Sequence, residues 1–133
     1  MTTPPVLEFR VALTADDYDK LVTFYQEGLG LNPDQLWTDV DGRGMIFDMG
    51  RATLEILDQQ HAANVDNIET GQRTSGQIRF AFQVPDLQFA LERALAYGAT
   101  LVHDPVITPW RHHNARITSP DGLQITLFQV LTD

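Results

Sequence analysis

Arg10-Val-Ala-Leu-Thr-Ala-Asp-Asp17 lies without gaps over Arg79-Phe-Ala-Phe-Gln-Val-Pro-Asp86, and in both stretches an apolar alternation runs into a helix start. Farther on, Ile46 to Leu57 lies over Ile117 to Phe128, which sets Leu54-Glu-Ile56 on Ile125-Thr-Leu127. This internal repeat predicts two copies of one unit.

In the first copy, Val6 to Thr14 reads as a half-buried strand: Leu7, Phe9, Val11 and Leu13 fall on one face, and Glu8, Arg10, Ala12 and Thr14 on the other. Asp16 or Asp17 caps a helix whose Tyr18, Leu21, Val22 and Tyr25 form one apolar stripe, and Gly28 and Gly30 end it. Leu36 to Val40, Met45 to Met49 and Ala52 to Leu57, separated by turns at Asp41-Gly-Arg-Gly44 and Gly50-Arg51, predict a three-strand meander. His61 to Gly76 is polar and without sustained period, a connector holding one helical turn.

The order then begins again. Gln77 to Val84 alternates, with Ile78, Phe80, Phe82 and Val84 on one face. Pro85-Asp86 opens a helix with Leu87, Ala90, Leu91, Ala94 and Leu95 in a stripe, closed by Gly98. Strands follow at Thr100 to His103, Asn114 to Thr118 and Leu123 to Val130, with Ser119-Pro-Asp-Gly122 as the last turn. The expected architecture is one α+β domain: a βαβββ module over residues 6–60, a connector over 61–76, and a second βαβββ module over 77–131. Each module turns an apolar strand face to its own helix and leaves a more polar face, so two modules side by side enclose a cleft.

Composition limits what the cleft can do. The 133 residues are 43% hydrophobic and 20% charged, ordinary values for a folded chain of this size. A formal charge of -9 repels nucleic acid and anionic lipid, so neither is an expected partner. There is no cysteine, which removes thiolate nucleophiles and every cysteine-based metal site. No apolar run is long enough to span a bilayer, and Met1-Thr-Thr-Pro-Pro-Val6 lacks a signal-peptide pattern, so a cytoplasmic protein is expected. Gly28-Leu-Gly30 is a helix stop and not a phosphate loop, and no nucleophile-elbow sequence surrounds Ser75 or Ser119.

The order and spacing of Phe24-Tyr25, Leu29-Gly30, Phe80-Ala-Phe-Gln-Val-Pro-Asp-Leu87, Ala96-Tyr-Gly-Ala99, Pro109-Trp110 and Pro120-Asp-Gly-Leu-Gln-Ile-Thr-Leu-Phe128 resemble the vicinal oxygen chelate superfamily. That superfamily takes in glyoxalase I, extradiol dioxygenases and bleomycin-resistance proteins. The resemblance implies a cupped mixed sheet with helices on its outer face. It also implies a metal site drawing ligands, two His and two Glu, from the first and last strand of each module. Those positions fall on Arg10, Glu55, Arg79 and Thr126. A guanidinium stays protonated and has no lone pair to give, so the expected cofactor is none, with the metal site lost.

Two readings of the arginines follow. Arg10 and Arg79 either pair with Glu55 and Glu8 to hold the modules together, or converge on an anionic ligand. The expected ligand-binding set is Arg10, Arg79, Glu55, Thr126, Arg116, and the aromatic wall residues Trp37 and Trp110. His112 and His113 point to opposite faces if they share a strand, and read as surface or loop residues; His61 and His103 have no ligand-like spacing. The expected function is metal-independent small-molecule binding of the bleomycin-resistance kind, for an anionic or planar ligand. The alternative is a glyoxalase-like lyase or isomerase, or a dioxygenase, with Glu55 as catalytic base or metal ligand. A third reading leaves a bare dimerising scaffold. A homodimer is expected, as in short members of the superfamily, with Arg10 and Glu55 facing Arg79 and Thr126 across subunits or within one chain.

Overall fold

The computed structural model describes residues 10, 11, 13, 15–40, 42–52, 55 and 57–132. Most of the strand expected over Val6 to Thr14, and residues 53, 54 and 56 of the meander's third strand, lie outside them. The elements run α1 (Tyr18–Thr23), β1 (Asn32–Asp39), β2 (Gly42–Asp48), α2 (Gln59–Thr70), β3 (Phe80–Gln83), α3 (Leu87–Ala96), β4 (Thr100–Ile107), β5 (His112–Thr118) and β6 (Gln124–Val130).

Asp17 caps α1 by accepting from the Lys20 backbone N–H at 3.1 Å, which satisfies one of the unpaired donors of the first turn. The helix then widens into a π-helical turn at Phe24–Gly28. That turn brings two successive aromatic residues, Phe24 and Tyr25, into the core with ring centroids 5.2 Å apart, edge to face. The hairpin is tighter than the sequence reading. β1 begins at Asn32, and Gly42, Arg43 and Gly44 belong to β2 and not to the turn. With strands so close, backbone pairing continues through residues that read as turn formers.

The second copy folds as βαβββ. Its sheet has the order β3-β6-β5-β4, parallel between β3 and β6 and antiparallel elsewhere. Asp86 caps α3 by accepting from Phe89 N at 3.1 Å. Leu87, Leu91 and Ala94 of α3 close over Ala115, Ile117, Ile125 and Leu127, and Leu21, Phe24 and Tyr25 complete the same core. Leu95, expected in the stripe, is exposed at its edge. β5 begins two residues earlier than expected, at His112, and β4 extends to Ile107.

The largest departure is α2. A connector with one helical turn was expected; residues 59–70 instead form a 12-residue helix, started by Asp58 accepting from His61 N at 2.8 Å and stopped by Gly71 at φ 80°. Its stripe is polar, so apolar periodicity gave no sign of it. Its buried residues, Val65, Asp66, Glu69 and Thr70, lie against the sheet of the second copy.

Candidate functional site

A strand alternates its side chains, so the sheet that gives Ala115, Ile117, Ile125 and Leu127 to α3 turns Asn114, Arg116, Gln124, Thr126 and Phe128 to the other face. The parallel register sets Ala81 beside Thr126. Arg79, two residues before Ala81, therefore emerges on the polar face, where its Nη1 donates to Thr126 Oγ1 at 2.7 Å. The parallel pairing of β3 with β6 thus brings together two residues 47 positions apart.

Arg79 is half-buried and, among the described residues, has no carboxylate within the 4.0 Å of an ion pair. Burial lowers its guanidinium below the ordinary arginine range. The positive charge of Arg116 lowers it further, against smaller opposing effects of Glu69, Asp66 and Glu55. Glu55 is exposed, and Arg79 takes Thr126 rather than Glu55 as its hydrogen-bond partner. Arg10, exposed, and Glu55 line the same open cleft as Arg79, Tyr25, Phe47 and Phe128.

Arg116 is fully occupied on one side. It donates through Nη1 to Asp66 Oδ1 at 2.9 Å and Gln124 Oε1 at 3.1 Å, and through Nη2 to Glu69 Oε1 at 2.7 Å. Asp66 also accepts from Arg73, from the backbone N–H of Thr74 and of Ser75, each at 2.8 Å, and from Ser75 Oγ at 2.9 Å. Burial alone would raise the Asp66 carboxyl. The Thr74 and Ser75 backbone donors, then Arg116 and Arg73, outweigh it and hold the carboxyl well below the carboxylate range. Sequence reasoning missed Asp66 and Glu69. Their only signals were local: the i, i+3 spacing of two carboxylates, between a capping Asp58 and Gly71.

The other end of this face is aromatic. The His112 ring lies on that of Phe128 with centroids 4.8 Å apart and planes 16° from parallel, and Trp110 meets His112 edge-on at 6.5 Å. His112 is therefore a strand residue in a stack, where a surface or loop position was expected, because β5 starts early enough to include it. Trp110 itself is exposed, next to Arg111 at φ 66°. Trp37 lies in β1, with its side chain outside the described residues. Between the aromatic and cationic ends Asn114 is buried, and its Oδ1 has no hydrogen-bond partner among the described residues.

Residues 9–127 match the family model described as the Glyoxalase/Bleomycin resistance protein/Dioxygenase superfamily. The chain belongs to this superfamily. Similar solved structures include the lactoylglutathione lyase from Agrobacterium tumefaciens, 24% identical over 96% of each chain with a TM-score of 0.57. A glyoxalase/bleomycin resistance protein/dioxygenase family enzyme from Burkholderia phytofirmans PsJN is 19% identical, with 88% of this chain and 93% of that one covered and a TM-score of 0.54. A glyoxalase-related enzyme from Fulvimarina pelagi is 18% identical over 85% and 80% of the two chains, at a TM-score of 0.52. No curated protein matches the sequence. At these identities the likeness establishes the α+β fold and its mixed sheet.

Within this superfamily the polar sheet face is where a divalent metal would be held. The pair meeting there in the second module is a guanidinium donating to a hydroxyl, backed by a second guanidinium, Arg116. A guanidinium offers no lone pair and repels a cation, so these residues do not fit a metal ion. Among the described residues, no three His, Asp or Glu side chains are grouped to hold one. No helix there is long and apolar enough to cross a membrane.

Proposed function

We propose that this chain is a metal-independent binding protein for a small anionic ligand, similar to the sequestering members of its superfamily, with Arg79 as the anion anchor. One observation carries the reading. Around the polar sheet face Arg73, which follows α2, and Arg79 and Arg116 stand against Asp66 and Glu69, and among the described residues Arg79 hydrogen-bonds a neutral hydroxyl and no carboxylate. A carboxylate there would gain a charge-assisted pair and relieve the repulsion from Arg116. Thr126 fixes the guanidinium, and Arg10 and Glu55 lie on the same cleft.

Titration of purified protein with benzoate and with inorganic phosphate, followed by thermal shift and calorimetry, tests the reading. At least one anion is expected to stabilise the wild type and to lose tenfold or more in affinity in Arg79→Gln. Equal binding by the variant would sink the anchor, and stoichiometric nickel, zinc, iron or manganese by elemental analysis would sink the metal-free reading.

We also propose that the site is completed in a homodimer. The open cleft spans about 2920 Å³, several times the roughly 300–1,000 Å³ of a small-molecule site. It is lined in part by exposed Val11, Leu13 and Ile78, and among the described residues β3 is an edge strand of its sheet. A second copy filling part of this space would cover that apolar surface and leave a ligand-sized remainder. Sedimentation equilibrium is expected to give twice the chain mass at micromolar concentration. A monomer at all concentrations would refute this.

A further inference from the structure

We infer that the anion held at Arg79 carries a flat aromatic ring, and that Phe128 is the surface on which this ring stacks. The inference rests on the anion-anchor reading and specifies the ligand of that same site.

Phe128 follows Thr126 by two residues on β6, so both side chains stand on the polar face about 7 Å apart along the strand. Arg79 is fixed to Thr126, and both Arg79 and Phe128 line the cleft. The cation, held at Thr126, and the ring two residues farther along β6 therefore line one cleft.

The aromatic partner of Phe128 among the described residues is His112. His112 covers one face, nearly parallel at 4.8 Å, and Trp110 buttresses His112 edge-on. Among the described residues no other ring covers the opposite face, and Phe128 is only half-buried. A stack of this kind costs a ligand little ordering, because His112 already holds the ring in place. An aryl carboxylate reaches both elements at once: its two oxygens accept from the Arg79 fork, and its ring continues the stack from His112 through Phe128.

A matched pair of acids separates this from anion binding alone. In 2-naphthoate and its fully saturated decalin-2-carboxylate analogue the carboxylate and the carbon skeleton are shared, and only the aromatic face differs. Calorimetry is expected to give an affinity for 2-naphthoate about three- to tenfold greater, the size of an aromatic pair interaction. The naphthoate ring protons should move upfield in proton NMR. Phe128→Leu should bring the ratio of the two affinities to about one, and Arg79→Gln should abolish binding of both acids. If Phe128→Leu folds poorly, the wild-type ratio and ring shifts still decide. Equal affinities without ring shifts, with both acids still lost in Arg79→Gln, would overturn the aromatic inference and leave the anion anchor standing. Binding of neither acid, or undiminished binding in Arg79→Gln, would overturn both.

Discussion

Arg116 Nη1 donates to Asp66 Oδ1 at 2.9 Å, joining β5 to α2 across 50 residues of chain with both side chains at 1% exposure or less. This pair makes a polar helix part of the fold. Residues 59–70 have little apolar surface to bury, and the helix is held to the sheet through Asp66 and Glu69. Buried charges of this kind are stabilising only as a complete set, since a lone member keeps its desolvation cost without compensation.

Asp66→Asn is therefore expected to cost about 3–5 kcal/mol, the range for breaking one member out of a buried charged network. Urea unfolding followed by far-UV circular dichroism measures it. Replacing Arg116, Asp66 and Glu69 together by apolar residues of similar volume should recover much of the loss; a triple variant as unstable as the single one would show that the charges are not the linkage.

The same pair sets an acid limit. The folded carboxyl of Asp66 is depressed relative to the unfolded value of about 3.9. Its stabilising contribution is thus complete above about pH 4 and is lost as pH falls below that toward the folded value. Unfolding free energies at pH 7 and pH 3 should show a drop in the wild type that is smaller in Asp66→Asn. Equal drops would mean that the acid sensitivity lies elsewhere.

Arg79 and Arg116 should respond differently to one chemical change. Arg116→Met removes the cation from buried Glu69 and one of two cations from buried Asp66, and should cost about 3–5 kcal/mol. Arg79→Met removes a half-buried cation that Arg116 repels and whose bond among the described residues is to Thr126, so less than about 1 kcal/mol should be lost. Melting temperatures of the two variants, side by side, check this; a larger loss in Arg79→Met would assign Arg79 a structural role.

Glu55 is exposed and its negative charge acts on Arg79 from the cleft. Glu55→Gln should therefore strengthen carboxylate binding by about two- to fivefold at low salt, the scale of an exposed charge interaction, with the gain shrinking as salt is raised. Weaker binding in the variant would make Glu55 a ligand contact instead.

Gly98 ends α3 at φ 110°, and a Cβ there would lie 3.2 Å from Pro120 Cγ in the β5–β6 turn. Gly98→Ala should cost more than about 1 kcal/mol, since the backbone conformation and the close approach both oppose a side chain. Gly50→Ala makes the control: its φ is also positive, at 65°, but nothing lies within 4 Å, so its cost should be smaller.

What could be read without coordinates was whatever short-range physics encodes. Capping by Asp17 and Asp86, the α3 stripe of Leu87, Leu91 and Ala94, and the turn at Ser119 to Gly122 each depend on residues a few positions apart. Alternation marked the strand face carrying Arg79, the repeat set Arg79 over Arg10 and Thr126 over Glu55, and the resemblance implied that Arg79 and Thr126 share a site, so the βαβββ plan of the second module was legible in the sequence. Only the tertiary structure decided that residues 59–70 are helical, that Asp66 and Glu69 neutralise Arg116, and that His112 backs Phe128. A polar helix and a pair of stacked rings have no periodic signature of their own. Their stability comes from partners distant in the chain, whose approach is fixed only when the sheet has formed.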